Sequence, residues 1–177
     1  MDLSQYFIST VDIDTDVLLR DWRWLIGARE YRLHKATAMG SLFLQSSDGA
    51  IDCLDPTYAE FHRVAGSAEA LEELLADRHN RRDLLLSFFV RDLRERGVQL
   101  APGNCSSWKV PPHLSGELSA ENIEATDLLV HVSVLGQLHE QTRRMKPGTV
   151  INEIRVVAPK PSLWQRVRGW FSRGRVA

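Results

Sequence analysis

The side chains best suited to chemistry here are His62, His113, His131 and His139, with Glu117 and Glu140 as the nearest acids in type and position. Imidazoles and carboxylates of this kind move protons or hold metals when a fold converges them. Their spacing does not require convergence. His139-Glu140 starts like the helix of a zinc hydrolase, but Arg143 stands where the second histidine is needed. The chain has no glycine-rich phosphate loop and no nucleophile elbow. No catalytic residue, metal site or cofactor is therefore expected, and the histidines read as hydrogen-bonded groups at the edge of a core. Gln137 and Gln141 are a different matter, because residues four apart share one face of a helix. Such an amide pair suits either a partner or ligand, or the backbone groups of a neighbouring irregular segment. Trp108 stands alone in a stretch containing Pro102, Gly103, Pro111 and Pro112, and is the first candidate for an exposed aromatic anchor.

The elements that must position these residues follow from periodicity. From Asp16, the residues Val17, Leu18, Trp22, Leu25 and Ile26 recur at helical spacing, with Gly27 as a stop. Tyr31 and Leu33 begin a β region that Gly40 interrupts. Asp48-Gly49 predicts a hairpin turn through positive φ angles, and strands over 50–54 and 58–64 complete an antiparallel meander. Ser67 caps a short helix, and Asn80 caps a second that runs to Arg96. Leu84, Leu85, Leu86, Phe88, Phe89, Val90 and Leu93 cover about two thirds of that helix, which marks it as the buried centre of the fold. Residues 101–116 read as loop, 126–132 as β-rich, 133–145 as helix and 150–157 as a last strand. Without βαβ alternation, the class is α+β.

Length and composition place the chain among soluble proteins of one domain, expected at residues 1–157, followed by a basic tail at 158–177. No window of roughly 18–20 apolar residues spans a bilayer, and the acidic start is unlike a secretory signal, so a cytoplasmic location is expected. Cys53 and Cys105 are then reduced, packed thiols. After Glu153 come Arg155, Lys160, Arg166, Arg168, Arg173 and Arg175 and no acid; residues 1–153 carry 16 basic against 23 acidic side chains, a net of −7. An acidic body repels nucleic acid and attracts a basic partner. In the tail, Leu163, Trp164, Val167, Trp170 and Phe171 fall on one stripe of a basic amphipathic helix, suited to the body, a partner or weakly to an anionic membrane surface.

Several segments match one bacterial family in order. They are Trp22-Arg23-Trp24-Leu25, Ala38-Met39-Gly40-Ser41-Leu42-Phe43, Asp48-Gly49-Ala50-Ile51, Leu54-Asp55, Glu121-Asn122-Ile123, Val130-His131, Gly136-Gln137-Leu138-His139-Glu140-Gln141 and Pro147-Gly148-Thr149. The chain resembles the C-terminal domain of type VI secretion immunity proteins that neutralise DNase effectors, over about residues 16–155. It departs where Met39 and Ser41 flank Gly40 in place of an aromatic residue and an acid, and where Ser115-Gly116 replaces a double glycine. The resemblance implies an immunity protein that binds and blocks a toxin inside the producing cell. Independently, the acidic body suits a basic nuclease as that toxin and argues against direct binding of nucleic acid, and the missing catalytic spacing leads to a folded chain, monomeric or weakly dimeric, without hydrolytic activity. Its candidate binding residues are Trp108, Glu117, Gln137, His139, Glu140 and Gln141. Two other classes stay open: a peripheral membrane or scaffolding module using the tail, and a small ligand-binding protein or hydrolase using the Gln137, His139 and Glu140 face.

Overall fold

Alternation along the central strands buries both faces of one sheet. In the computed structural model, which describes residues 3–158 apart from 12, 147 and 152, five strands pair as an antiparallel meander: β1 (Phe7–Ile8), β2 (Tyr31–Thr37), β3 (Leu42–Ser46), β4 (Ile51–Asp55) and β5 (Glu60–Ala65). In β3, Phe43 enters one core with Ile51 and Cys53, whereas its neighbours Leu42 and Leu44 enter a second core with Leu54. Period two divides the apolar residues between the faces, so helices must cover both.

The first face carries α3 (Ala68–Ala76), α4 (Arg78–Leu84) and α5 (Ser87–Glu95), with a ribbon of β6 (Asn104–Trp108) and β7 (Ile123–Asp127) beside them. The second face carries α1 (Thr15–Leu19), a 3₁₀ turn at Arg20–Trp22, α2 (Arg23–Ile26) and α6 (Leu128–Thr142). Both helices and antiparallel sheets are present, an α+β architecture as expected. Among the described residues no helix is long and apolar enough to cross a membrane.

Local sequence explains most ends. Asp14 accepts from the amides of Asp16 and Val17 to start α1, and Gly27, at φ +74°, closes α2. Ser67 caps α3 as its position predicts. In the 46–50 turn Gly49 takes positive φ, while Asp48 does not; its carboxylate accepts from Ser46 Oγ at 2.5 Å and from the Ala50 amide. Cys53 and Cys105 are free and buried, and burial pushes both thiols up to about 12.

Four expectations change. The helix expected over 80–96 is two helices, broken where Leu86 adopts φ +45°, and Asp77 rather than Asn80 caps the first. Asn80 instead donates to the Leu74 carbonyl at the end of α3. A helix apolar over two thirds of its surface would need burial nearly all round. The break re-aims the second half, leaving Phe88 60% exposed while Val90 and Leu93 stay in the core. The central buried helix is α6, which begins at Leu128 inside the stretch read as β-rich, capped by Asp127 accepting from the Val130 amide. Residues 104–108, read as loop, form β6. Residues 150–157, read as a strand, join no sheet among the described residues. The expected tail helix, with Leu163, Trp164, Val167, Trp170 and Phe171, lies outside the described residues.

Candidate partner-binding face

Helix α6 is the element on which the site is built, and its small and polar residues fasten it to three other segments. At Gly136 a Cβ would stand 2.6 Å from the carbonyl oxygen of Asp21, so the 3₁₀ turn rests directly on the helix. The Trp22 indole donates to the Val132 carbonyl at 2.8 Å, and that of Trp24 to the Gly136 carbonyl at 3.3 Å. One turn earlier His131, fully buried, packs on Gly40. Its Nδ1 lies 2.8 Å from Ser107 Oγ, and its Nε2 has no hydrogen-bond partner among the described residues. His139 Nε2 donates to the Thr57 carbonyl at 3.2 Å, and its ring lies against that of His113, tilted by 32° with centroids 4.0 Å apart. Burial, and secondarily the neighbouring His113, lower His139 to about 4, so at neutral pH it is an uncharged fastener of the β4–β5 turn.

Gln137 and Gln141 together bind the extended segment that follows the helix. Gln141 donates to the Arg155 carbonyl at 2.9 Å and accepts from the Arg155 amide at 3.2 Å. Gln137 does the same with Val157, at 2.9 and 2.8 Å. Each side chain thus imitates one residue of a β-ladder, which is why 155–157 needs no strand beside it. Ser133 Oγ donates to Asp21 at 2.5 Å and accepts from Gln137 at 3.1 Å, so the amide is oriented from beneath.

A second amide fastens the loop after β6. Asn122 accepts from the Val110 amide at 3.0 Å and donates to the carbonyls of Val110 at 2.8 Å and Glu117 at 2.9 Å. Gly116 sits so close that a Cβ would lie 1.8 Å from the Val110 carbonyl oxygen. Between this loop, the β4–β5 turn, the end of α6 and the segment carrying Gly148, Thr149, Ile151, Glu153 and Ile154 opens a cleft of about 950 Å³. Its lining includes Tyr58, Val110 and Met145, which are 45%, 47% and 43% exposed. Aromatic and methionine side chains displayed at a concave surface are characteristic of protein interfaces. Among the described residues, no group of three His, Cys, Asp or Glu side chains stands where it would hold a metal ion.

The residues that make α6 and the Asn122 clamp fall largely within one stretch of sequence. Residues 66–139 match the family described as T6SS immunity protein Tdi1, C-terminal. The Tdi1-like stretch runs from the cap of α3 to His139 and contains Gly116, Asn122, His131 and Gly136. The meander and the Trp22 turn lie before it, and Glu140 and Gln141 just after. The crystal structure of Atu4351 from Agrobacterium tumefaciens is similar at 16% identity and a TM-score of 0.48, over 71% of this chain and 65% of that one. The chain therefore spans just under two thirds of that structure's length. No curated protein matches it.

The expected binding residues separate in space and in role. Trp108 is only 6% exposed, its ring edge-on to Phe89 at 5.2 Å, so it is a core residue of β6 and not an anchor. Gln137, His139 and Gln141 spend their polar atoms within the chain. Glu117 and Glu140 are exposed, and their carboxylates have no hydrogen-bond or ion-pair partner among the described residues. His113 and His139 meet at the cleft, whereas His131 lies buried against Gly40 and Ser107. Tyr58, Val110 and Met145 were not anticipated, since no spacing joins three single apolar residues from three different segments.

Proposed function

We propose that this protein is a type VI secretion immunity protein that binds and blocks a cognate toxin inside the producing cell without catalysing a reaction, and that the toxin is a nuclease. The observation that carries this reading is the match of residues 66–139 to the Tdi1 family. The cleft rimmed by Tyr58, Val110 and Met145 is the docking face, and Glu117 and Glu140, unpaired among the described residues, follow the lining residues Ser115 and His139 in sequence by two residues and one. A nuclease must present a basic cleft to DNA, and a body carrying −7 over residues 1–153 is drawn to such a surface. Inhibition is by occlusion, with apolar contacts supplying the lasting affinity and carboxylates the rate of association.

Co-expression with a nuclease toxin encoded beside it tests the reading. The intact chain should restore growth, and its association rate should fall as salt rises. Tyr58→Asp combined with Met145→Asp should weaken binding at least about a hundredfold with the fold intact. Turnover of DNA by the purified chain, or unchanged protection by the double variant, would sink it.

A further inference from the structure

The two glutamines of α6 recognise main chain only. Residues four apart on a helix are separated by about 6 Å along its axis, and residues two apart in an extended chain by nearly 7 Å. That near-match lets Gln141 and Gln137 take Arg155 and Val157, each through its own N–H and C=O. No side chain of the occupant is read: Arg155 is 83% exposed, Val156 43% and Val157 68%. The occupant is therefore defined by being extended and by lacking proline at the two paired positions. It is held by four solvent-accessible hydrogen bonds, each of modest net strength. The rail itself is built to persist, because Ser133 and Asp21 orient Gln137 from the helix side.

We propose that Gln137 and Gln141 form a docking rail for an extended peptide segment, occupied in cis by residues 155–157 and open to exchange with an extended segment of a bound protein partner. The position favours a partner's segment: Glu153 and Ile154 line the cleft immediately before the rail, so a chain leaving the cleft runs onto it. Residues 155–157 are then a strap that a partner displaces, gaining main-chain hydrogen bonds whatever its sequence, in the manner of strand addition to a sheet edge. The inference rests on the reading of this face as a protein-binding face, but its test contains no toxin and stands or falls separately.

The test uses the full chain and a fluorescein-labelled synthetic peptide of residues 148–158. Arg155→Pro with Val157→Pro removes both strap amides that the glutamines accept from, while leaving the rail unaltered. By fluorescence anisotropy the peptide should bind this double variant at least about tenfold more tightly than the unaltered chain. Adding Gln137→Ala and Gln141→Ala should abolish that binding, as should proline at the two paired positions of the peptide. Thermal melts of all three chains check that each is folded. Equal affinity for the unaltered and double-proline chains, binding that survives loss of both glutamines, or no binding to any chain would each overturn the proposal.

Discussion

Backbone geometry, as close approach at Gly136 and as a left-handed φ at Ser115, gives two predictions of opposite sign. At Gly136, alanine would gain about 1 kcal/mol of helix propensity. Its methyl, however, would meet the Asp21 carbonyl oxygen at 2.6 Å and force the 3₁₀ turn off α6. Overpacking against backbone costs about 1–3 kcal/mol, and at 2.6 Å the upper part of that range applies, so Gly136→Ala should lower stability by about 1–2 kcal/mol net in urea denaturation. At Ser115 the backbone is left-handed, with φ +68°, which costs a residue with a Cβ about 1–2 kcal/mol. Ser115→Gly should therefore raise stability by up to about 1 kcal/mol after the entropic cost of glycine is counted. An unchanged or lowered unfolding midpoint would mean that the serine has a role the geometry does not reveal.

At the scale of elements, the break at Leu86 separates two neighbouring phenylalanines that sequence alone makes equivalent. Phe89 stacks edge-on with Trp108 at 5.2 Å and packs against the core around Val90 and Leu93. Phe88 projects outward at 60% exposure. Phe89→Ala should cost about 2–4 kcal/mol, and Phe88→Ala under about 1 kcal/mol. A denaturant series on the two variants distinguishes this from one continuous buried helix, for which both costs would be large and alike. The same reasoning bears on α6: its valines favoured a strand, but Asp127 at its cap and the sheet beneath select the helix.

For the whole molecule, burying histidines without charge ties stability to pH. Burial lowers His131 to about 4, whereas in an unfolded chain it titrates near 6.5. As pH falls the unfolded chain takes up the proton first. The contribution is therefore fully present above about pH 6.5 and is lost progressively down to about pH 4. Across that window each pH interval of one is worth about 1.4 kcal/mol, so His131 should account for about 2–3 kcal/mol of lost stability between pH 7 and 4.5. His139, lowered to about 4, acts in the same direction, and Asp55, whose carboxyl burial raises, acts in the opposite one. Comparing the chain with His131→Gln at both pH values isolates the first histidine. The variant should lose less stability on acidification, and an equal loss would refute the assignment.

What the sequence determined by itself is the set of elements whose signals are local. The meander is legible because Leu42, Phe43 and Leu44 alternate between faces and Gly49 turns the chain; the end of α2 and the start of α3 are legible because Gly27 and Ser67 mark them, although the helix expected from Asp16 to Gly27 is α1, a 3₁₀ turn and α2. The importance of the Gly136 to Gln141 block and of Asn122 was also visible, through the family resemblance. Their roles were not, because a side-chain amide looks the same in sequence whether it faces a toxin or its own backbone. Only the tertiary structure brings Gln137 to Val157, Asn122 to Val110 and His139 to Thr57, across separations of 20, 12 and 82 residues. It also buries Trp108 and brings Tyr58, Val110 and Met145 to one cleft. Burial depends on what packs from the far side of the sheet, and that is a property of the whole chain, not of a window along it.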